Sequence, residues 1–178
     1  MSQLKTTMVI PTYWGRNSKT KIRADDLTYD HPTPLDQEGT LLRCLQSISH
    51  LKDQDFLLVV LACATAPDIA EAVETKVQKI ISQAGLNIET MVFSRTGLRK
   101  MNREIKVQAG SDFSDLLTLN GYSPVRNMCL FAGHVVESEI TVFIDDDEVF
   151  EDPHFILKAR EHIGKKVKGE RVLALAGY

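Results

Sequence analysis

The chain has no excess of basic residues. Its 178 residues carry 21 Lys and Arg against 24 Asp and Glu, a formal charge of −3. Nucleic-acid-binding domains normally concentrate a positive surplus, so a nucleic-acid partner is not expected. Long apolar runs are also absent. The longest, 56–64 (FLLVVLACA), falls far short of the roughly 20 residues that a membrane-crossing helix needs. The start, MSQLKTTMVIP, lacks a basic head followed by a long apolar stretch, so it does not read as a signal peptide. Cysteine is scarce: Cys44, Cys63 and Cys129 are an odd number, sit in apolar settings and show no metal-ligand spacing. Buried, reduced thiols in a cytoplasmic protein are the expectation. There is no internal repeat and no low-complexity stretch.

What remains is enough for a core. The chain is 43% hydrophobic and 25% charged, which suits one folded domain spanning 1–178. Strands and helices alternate. A first strand is expected over 6–13, ending at a Pro-containing turn. Residues 15–37 show no periodicity, and a loop of that length is usually functional or mobile. A helix follows over about 37–50, with Leu41, Leu45 and Ile48 on one face and Asp36 as N-cap. The continuous apolar run 56–63 suits a strand buried on both faces of a parallel sheet. The next helix, 67–84, carries a stripe of Ile69, Val73, Val77, Ile80 and Ala84, with a Thr65–Asp68 capping box and Gly85 as the C-terminal cap.

A third strand is expected over 88–93. Residues 95–118 are locally basic (Arg95, Arg99, Lys100, Arg103, Lys106) and hold a short helix, LRKMNREIKV. The segment reads either as a solvated charged face or as an element that closes on an anion. Ser123 and Pro124 open a helix with Met128, Phe131, Ala132 and Val135 inward. A strand over 140–144, a helix from Asp152 and Pro153 with Ile156 and Ile163 inward, and a last strand over 172–176 complete the order. The fold class is α/β with a mostly parallel sheet flanked by helices.

The sharpest feature is VFIDDDEVF, 142–150. Adjacent carboxylates repel one another, and ligands of open α/β sheets sit outside the carboxyl ends of strands. In an extended segment Asp145 and Asp147 would point to one side and converge on one ligand. Oxygen-only ligands suit a hard cation, Mg²⁺ or Mn²⁺. An acidic solvated turn is the other reading.

The stretch 121–147, GYSPVRNMCLFAGHVVESEITVFIDDD, resembles the segment of family 2 glycosyltransferases in which an Arg-Asn pair opens a helix and an apolar strand leads into a DxD motif. Here the pair is Arg126-Asn127 and the motif Asp145-Asp146-Asp147. MVIPTYW followed by EGTLLRCLQSI is similar to the family's first strand, turn and first helix. The resemblance implies a GT-A fold that binds a UDP- or GDP-linked sugar and transfers the sugar to a sugar, lipid or small-molecule acceptor. It implies Asp147 as the first metal ligand, for Mn²⁺ or Mg²⁺, with Asp145 and Asp146 near the ribose and the metal. Pro11, Thr12 and Tyr13 would line the nucleotide pocket, Tyr13 facing the base, and Arg126 would approach the base or the phosphates beside Asn127. The family's acid at the end of the second strand is missing from LACATAPD, where Asp68 is the first acid. Its general base lies well downstream of the DxD motif, so the chain is expected to be incomplete at its C-terminus and to lack both base and acceptor-binding part. The location implied is cytoplasmic or peripheral to a membrane.

Three other readings share parts of the pattern. Asp145 and Asp147 fit the D-x-D-x-V motif of haloacid dehalogenase-like phosphatases, with Asp145 as nucleophile and Asp147 as general acid. A nucleotide-sugar-binding module without turnover would have the same donor residues. A nucleotidyltransferase would normally carry a Gly-rich basic loop, whereas PTYWGRNSKTK has one glycine. Trp14 suits either stacking on a ligand or packing. His134 and His162 read as surface or satisfied residues, and Lys165, Lys166, Lys168 and Arg171 as a solvated turn or a contact with anionic lipid.

Overall fold

The computed structural model describes residues 5–29, 31–109 and 116–176. The long apolar segments form a five-stranded parallel sheet. Its central strand is β1 (Thr6–Gly15). On one side of β1 lie β3 (Leu57–Ala64) and then β4 (Thr90–Phe93); on the other lie β5 (Ile140–Phe143), along Thr6 to Val9, and the short β2 (Thr33–Pro34), along Trp14 and Gly15. The chain thus moves outward from β1 through β3 to β4, then returns to the opposite side of β1 as β5.

Right-handed crossovers require the connecting helices to change face when the direction of travel reverses. They do so here. Helices α1 (Leu41–Ile48) and α2 (Ala70–Ala84) cover one face, joined by α5 (Phe155–His162), while α3 (Arg95–Ala109) and α4 (Tyr122–Val135) cover the other. Strand alternation sorts the core between them. Met8, Ile10 and Trp14 pack with Leu41, Leu45, Ile48, Val73, Val77 and Ile156. Val9, Val59, Leu61 and Cys63 pack with Val125, Met128, Cys129 and Ala132. Each fully buried Leu, Ile or Met contributes about 1.5–3 kcal/mol of transfer free energy, so the doubly covered strands β1 and β3 anchor the fold.

Pro11 sits in the central strand without breaking the ladder. Val9 O accepts from Ile144 N–H (3.2 Å) and Gly15 O from Leu35 N–H (3.2 Å), whereas Trp14 O accepts from Thr65 N–H on the β3 side (2.9 Å). Alternation therefore turns residue 11 toward the β5/β2 side, where neither strand reaches it. Its missing N–H costs no hydrogen bond there.

Several boundaries differ from the sequence reading. The first helix begins at Leu41 after Thr40, not at 37, because Asp36 is engaged elsewhere: its carboxylate takes the Ser18 N–H (2.7 Å) and hydroxyl (2.6 Å). The Thr65–Asp68 capping box does not form. The 3-10 turn Pro67–Ile69 starts after Ala66, and the Asp68 carboxylate is drawn to Arg16 and Arg23 instead. Gly85 does cap α2, at φ 64°. The third strand starts at Thr90, and the basic helix is longer than expected, Arg95–Ala109.

Helix α4 turns Val125, Met128, Cys129, Ala132 and Gly133 inward and leaves Val135 exposed. The glycine allows close seating on β5. No strand forms over 172–176: Val172 bonds to Gly164 and Lys165 beside the short antiparallel hairpin of β6 (Lys166–Val167) and β7 (Glu170–Arg171), and Leu173 and Leu175 beyond it are exposed. No helix among the described residues is long and apolar enough to cross a membrane.

The irregular segment after β1 is pinned by charge. Arg16, with its side chain 7% exposed, forms a two-pronged pair with Asp26 (2.9 Å) and a second with Asp68 (2.8 Å), and Arg23 adds a third at 3.1 Å.

Candidate functional site

The acidic cluster lies where the direction of strand progression reverses, at the carboxyl ends of β1 and β5. Such a switch point leaves a crevice between diverging loops. Thr12 of β1 is fully buried beneath the acids, beside the stretch of β1 edge between the last β5 pair and the first β2 pair.

Asp145 and Asp147 do not lie on one extended segment. The strand ends at Phe143, and the chain turns at Asp146 and Asp147: Glu148 N–H donates to Asp145 O (3.2 Å), and Asp145 N–H donates to the Glu148 carboxylate (3.1 Å). The residues then divide between the two helical layers. Asp145 faces α4, where Arg126 Nη2 donates to both its carboxylate oxygens (2.9 and 3.2 Å). Asp146 faces α1. It accepts the Thr12 hydroxyl at 2.5 Å and is the most enclosed of the three. Burial raises its pKa above the ordinary carboxylate value, hydrogen bonds from Thr12 and Thr40 oppose this, and the Asp147 and Asp145 charges add to the rise. Asp147 is exposed, and its carboxylate makes no hydrogen bond or ion pair among the described residues.

Helix α1 holds the acidic turn from below through three residues that the sequence did not single out. Arg43 donates to Asp147 O (3.1 Å), Cys44 Sγ lies 3.9 Å from Asp145 O, and Ser47 Oγ accepts Phe150 N–H (3.0 Å) while donating to Cys44 O (2.6 Å). Ser47 was the available signal: a polar residue inside an otherwise apolar helical face. The Cys44 thiol is pushed up to about 12 by burial and then by the Asp146, Glu148 and Asp147 charges, and burial likewise takes Cys129 to about 11 and Cys63 well above its ordinary value. All three cysteines are free, buried and protonated, so none supplies a thiolate.

Pro11 and Thr12 are buried in β1 and border the crevice. Tyr13 turns to the α4 side, its ring 4.8 Å from that of Tyr29, with its hydroxyl buried and unpartnered. Burial, first of all, raises the Tyr13 pKa far above the ordinary phenol value. Arg126 lies over the Tyr122 ring (5.0 Å) and donates to the Tyr122 hydroxyl (3.0 Å) as well as to Asp145. Asn127, next to it on α4, is exposed and makes no hydrogen bond among the described residues. Trp14 is fully buried with Lys76 Nζ 5.7 Å over its ring, so it packs rather than offering a stacking face. Asp68 is occupied by Arg16 and Arg23. His134 and His162 are exposed.

Among the described residues no group of three or more His, Cys, Asp or Glu is arranged to hold a metal ion. That arrangement is not what a substrate-bridging Mg²⁺ or Mn²⁺ needs, since such ions are commonly held by one or two carboxylates and complete their shell with phosphate oxygens and water. Asp147, unpaired and at the crevice mouth, fits that role, and Asp145 would join it only by sharing its carboxylate with Arg126. No protein-family model matches the chain, and neither a curated protein nor a solved structure matches it.

Proposed function

We propose that the switch-point crevice is the donor site of a metal-dependent glycosyltransferase and holds a UDP- or GDP-linked sugar. One observation carries this reading: an exposed Asp147, unpaired among the described residues, shares one turn with Asp145, which the half-buried Arg126 holds, and with Asp146, which Thr12 of the central strand holds. A carboxylate for a divalent ion and a guanidinium for an oxyanion are what a nucleoside diphosphate requires within one pocket. In this reading Asp147 holds Mn²⁺ or Mg²⁺, Pro11, Thr12 and Tyr13 line the nucleotide side, and Arg126 turns from Asp145 to the diphosphate. A bound divalent ion would supply positive charge to the departing diphosphate. The residues of the chain would bind and orient the donor: Asp146, fixed by Thr12, sets the bend of the turn, and α1 keeps that turn rigid through Arg43 and Ser47. The acceptor class and the general base are not assigned to any residue here.

Titration calorimetry of UDP, GDP and their sugars, with and without Mn²⁺, tests the reading. Saturable binding that needs Mn²⁺ and is lost in Asp147→Asn is the expected result, and the panel names the nucleotide. A folded protein that binds no nucleotide under either condition overturns it.

A further inference from the structure

The start of α3 carries positive charge that no carboxylate among the described residues neutralises. Arg95 and Arg99 are one helical turn apart and lie on one face. Arg95 is half-buried, and its hydrogen bond among the described residues is a long one, 3.4 Å, to Asn120 Oδ1. Arg99 is exposed, and neither arginine has a carboxylate partner among the described residues. Burial, followed by the charge of Arg99, lowers the Arg95 pKa from its ordinary value, and the one group that opposes this is Tyr29. Tyr29 is itself kept neutral by burial. A partly desolvated cation with only neutral and like-charged neighbours is unfavourable, and an anion would relieve it.

The surroundings are rigid. The Tyr29 hydroxyl donates to Leu119 O and accepts Gly121 N–H (3.2 Å), which fixes the segment bearing Asn120. Ser94 caps the helix start: its Oγ accepts Gly97 N–H (3.2 Å) and its carbonyl accepts Leu98 N–H (2.9 Å). Tyr13 and Tyr29 stand in contact between this point and the acids: Arg126 and Asp145 act on the Tyr13 hydroxyl, Arg95 on that of Tyr29.

We propose that Arg95 and Arg99, with Asn120 as a third polar contact, form a binding site for a phosphate group, separated from Asp145–Asp147 by the Tyr13–Tyr29 pair. Two guanidinium forks match the oxygens of a phosphate dianion better than a single carboxylate would. The ligand is inorganic phosphate or the phosphate of a small organic ester. The site does not depend on the donor reading, since it uses neither Asp147 nor a metal.

Calorimetry on the full chain, without metal and at constant ionic strength, tests it with inorganic phosphate and with glucose 1-phosphate. Saturable binding is expected, weakened about tenfold or more by Arg95→Gln and by Arg99→Gln, and less than about twofold by Lys100→Gln, which removes the same charge from another face of the helix. Arg95→Lys keeps the charge and loses the fork, and should also weaken binding. Phosphate should raise the unfolding temperature of the wild type and not that of Arg95→Gln, whose own unfolding temperature without phosphate should not fall. Tighter binding of the ester names an organic phosphate, and equal binding names the free ion. Absence of saturable binding by either ligand, or equal weakening by Lys100→Gln and Arg95→Gln, overturns the proposal. Asp147→Asn should leave phosphate binding intact, which separates this result from a failure of the donor reading.

Discussion

Two helical glycines give opposite expectations for the same substitution. A Cβ at Gly133 of α4 would stand 2.1 Å from Thr141 Oγ1, 3.1 Å from its Cγ2 and 3.2 Å from its Cβ on β5. Rotation about χ1 moves the first two atoms but not the third, so either Thr141 leaves its rotamer or α4 lifts from the sheet. Overpacking of this kind costs about 1–3 kcal/mol, and the better helix propensity of alanine returns up to about 1 kcal/mol. The net loss for Gly133→Ala is about 1–2 kcal/mol, or a fall of roughly 3–6 °C in unfolding temperature for a chain of this size. Gly97 of α3 differs: a Cβ there would meet Ser94 Oγ at 3.7 Å, an ordinary contact. Gly97→Ala should therefore stabilise by about 0.4–1 kcal/mol. Thr141→Ala removes two of the three clashing atoms, so the double variant with Gly133→Ala should be more stable than the two separate losses predict. Urea unfolding of the wild type and the four variants decides the matter. Equal stability of Gly133→Ala and wild type would refute the close seating of α4 on β5.

The same seating affects the site, because Arg126 lies two turns earlier on α4. Ser47→Ala should cost about 1–2 kcal/mol in urea unfolding, because it leaves the buried Phe150 N–H without its acceptor. Arg160 donates to Thr6 Oγ1 (2.7 Å) and Asp55 O (2.7 Å) and pairs with Asp53. Arg160→Ala should destabilise by about 3 kcal/mol, and Arg160→Lys should recover little, since one ammonium cannot reach three acceptors. The carboxylates of Asp26 and Asp68 are held below their ordinary pKa by Arg16, and that of Asp36 by the Ser18 hydroxyl. Their folded values lie below the unfolded one, so their contribution is complete above about pH 4 and is lost as pH falls through the folded values. Hydrogen exchange over 16–36, corrected for its intrinsic pH dependence, should therefore lose protection below pH 4 before the sheet does. Simultaneous loss throughout the chain would contradict a loop fastened chiefly by these carboxylates.

Hydrophobic periodicity made most of the fold legible. The run 56–63 lacks polar interruption, as strands covered on both faces do, and the stripes Leu41–Leu45–Ile48 and Val73–Val77–Ile80 point inward as their spacing requires. Periodicity failed where side-chain chemistry took over. Asp36 and Asp68 looked like helix caps, but Ser18 and Arg16 lie far away in sequence and became adjacent only through the path of the loop. The apolar face of α4 was read one step off because Gly133, which carries no side chain to count, is the residue closest to the sheet. The run 172–176 reads like a strand, but its pairing stops at Val172, and propensity alone does not make a ladder. The acidic motif was visible, whereas its geometry was not. Period-2 reasoning separates Asp145 from Asp146, as the structure does, but it does not extend to Asp147, because the chain turns at Asp146 and Asp147.

Pro11 has a consequence for the crevice that is best stated as exclusion. A peptide segment settling along the open stretch of β1 would look for a donor at residue 11 and find none. An extension of β5 or β2, or a foreign strand, would lose one ladder hydrogen bond there. The edge of the central strand is thus guarded against strand addition at its middle by a residue that has no donor to offer.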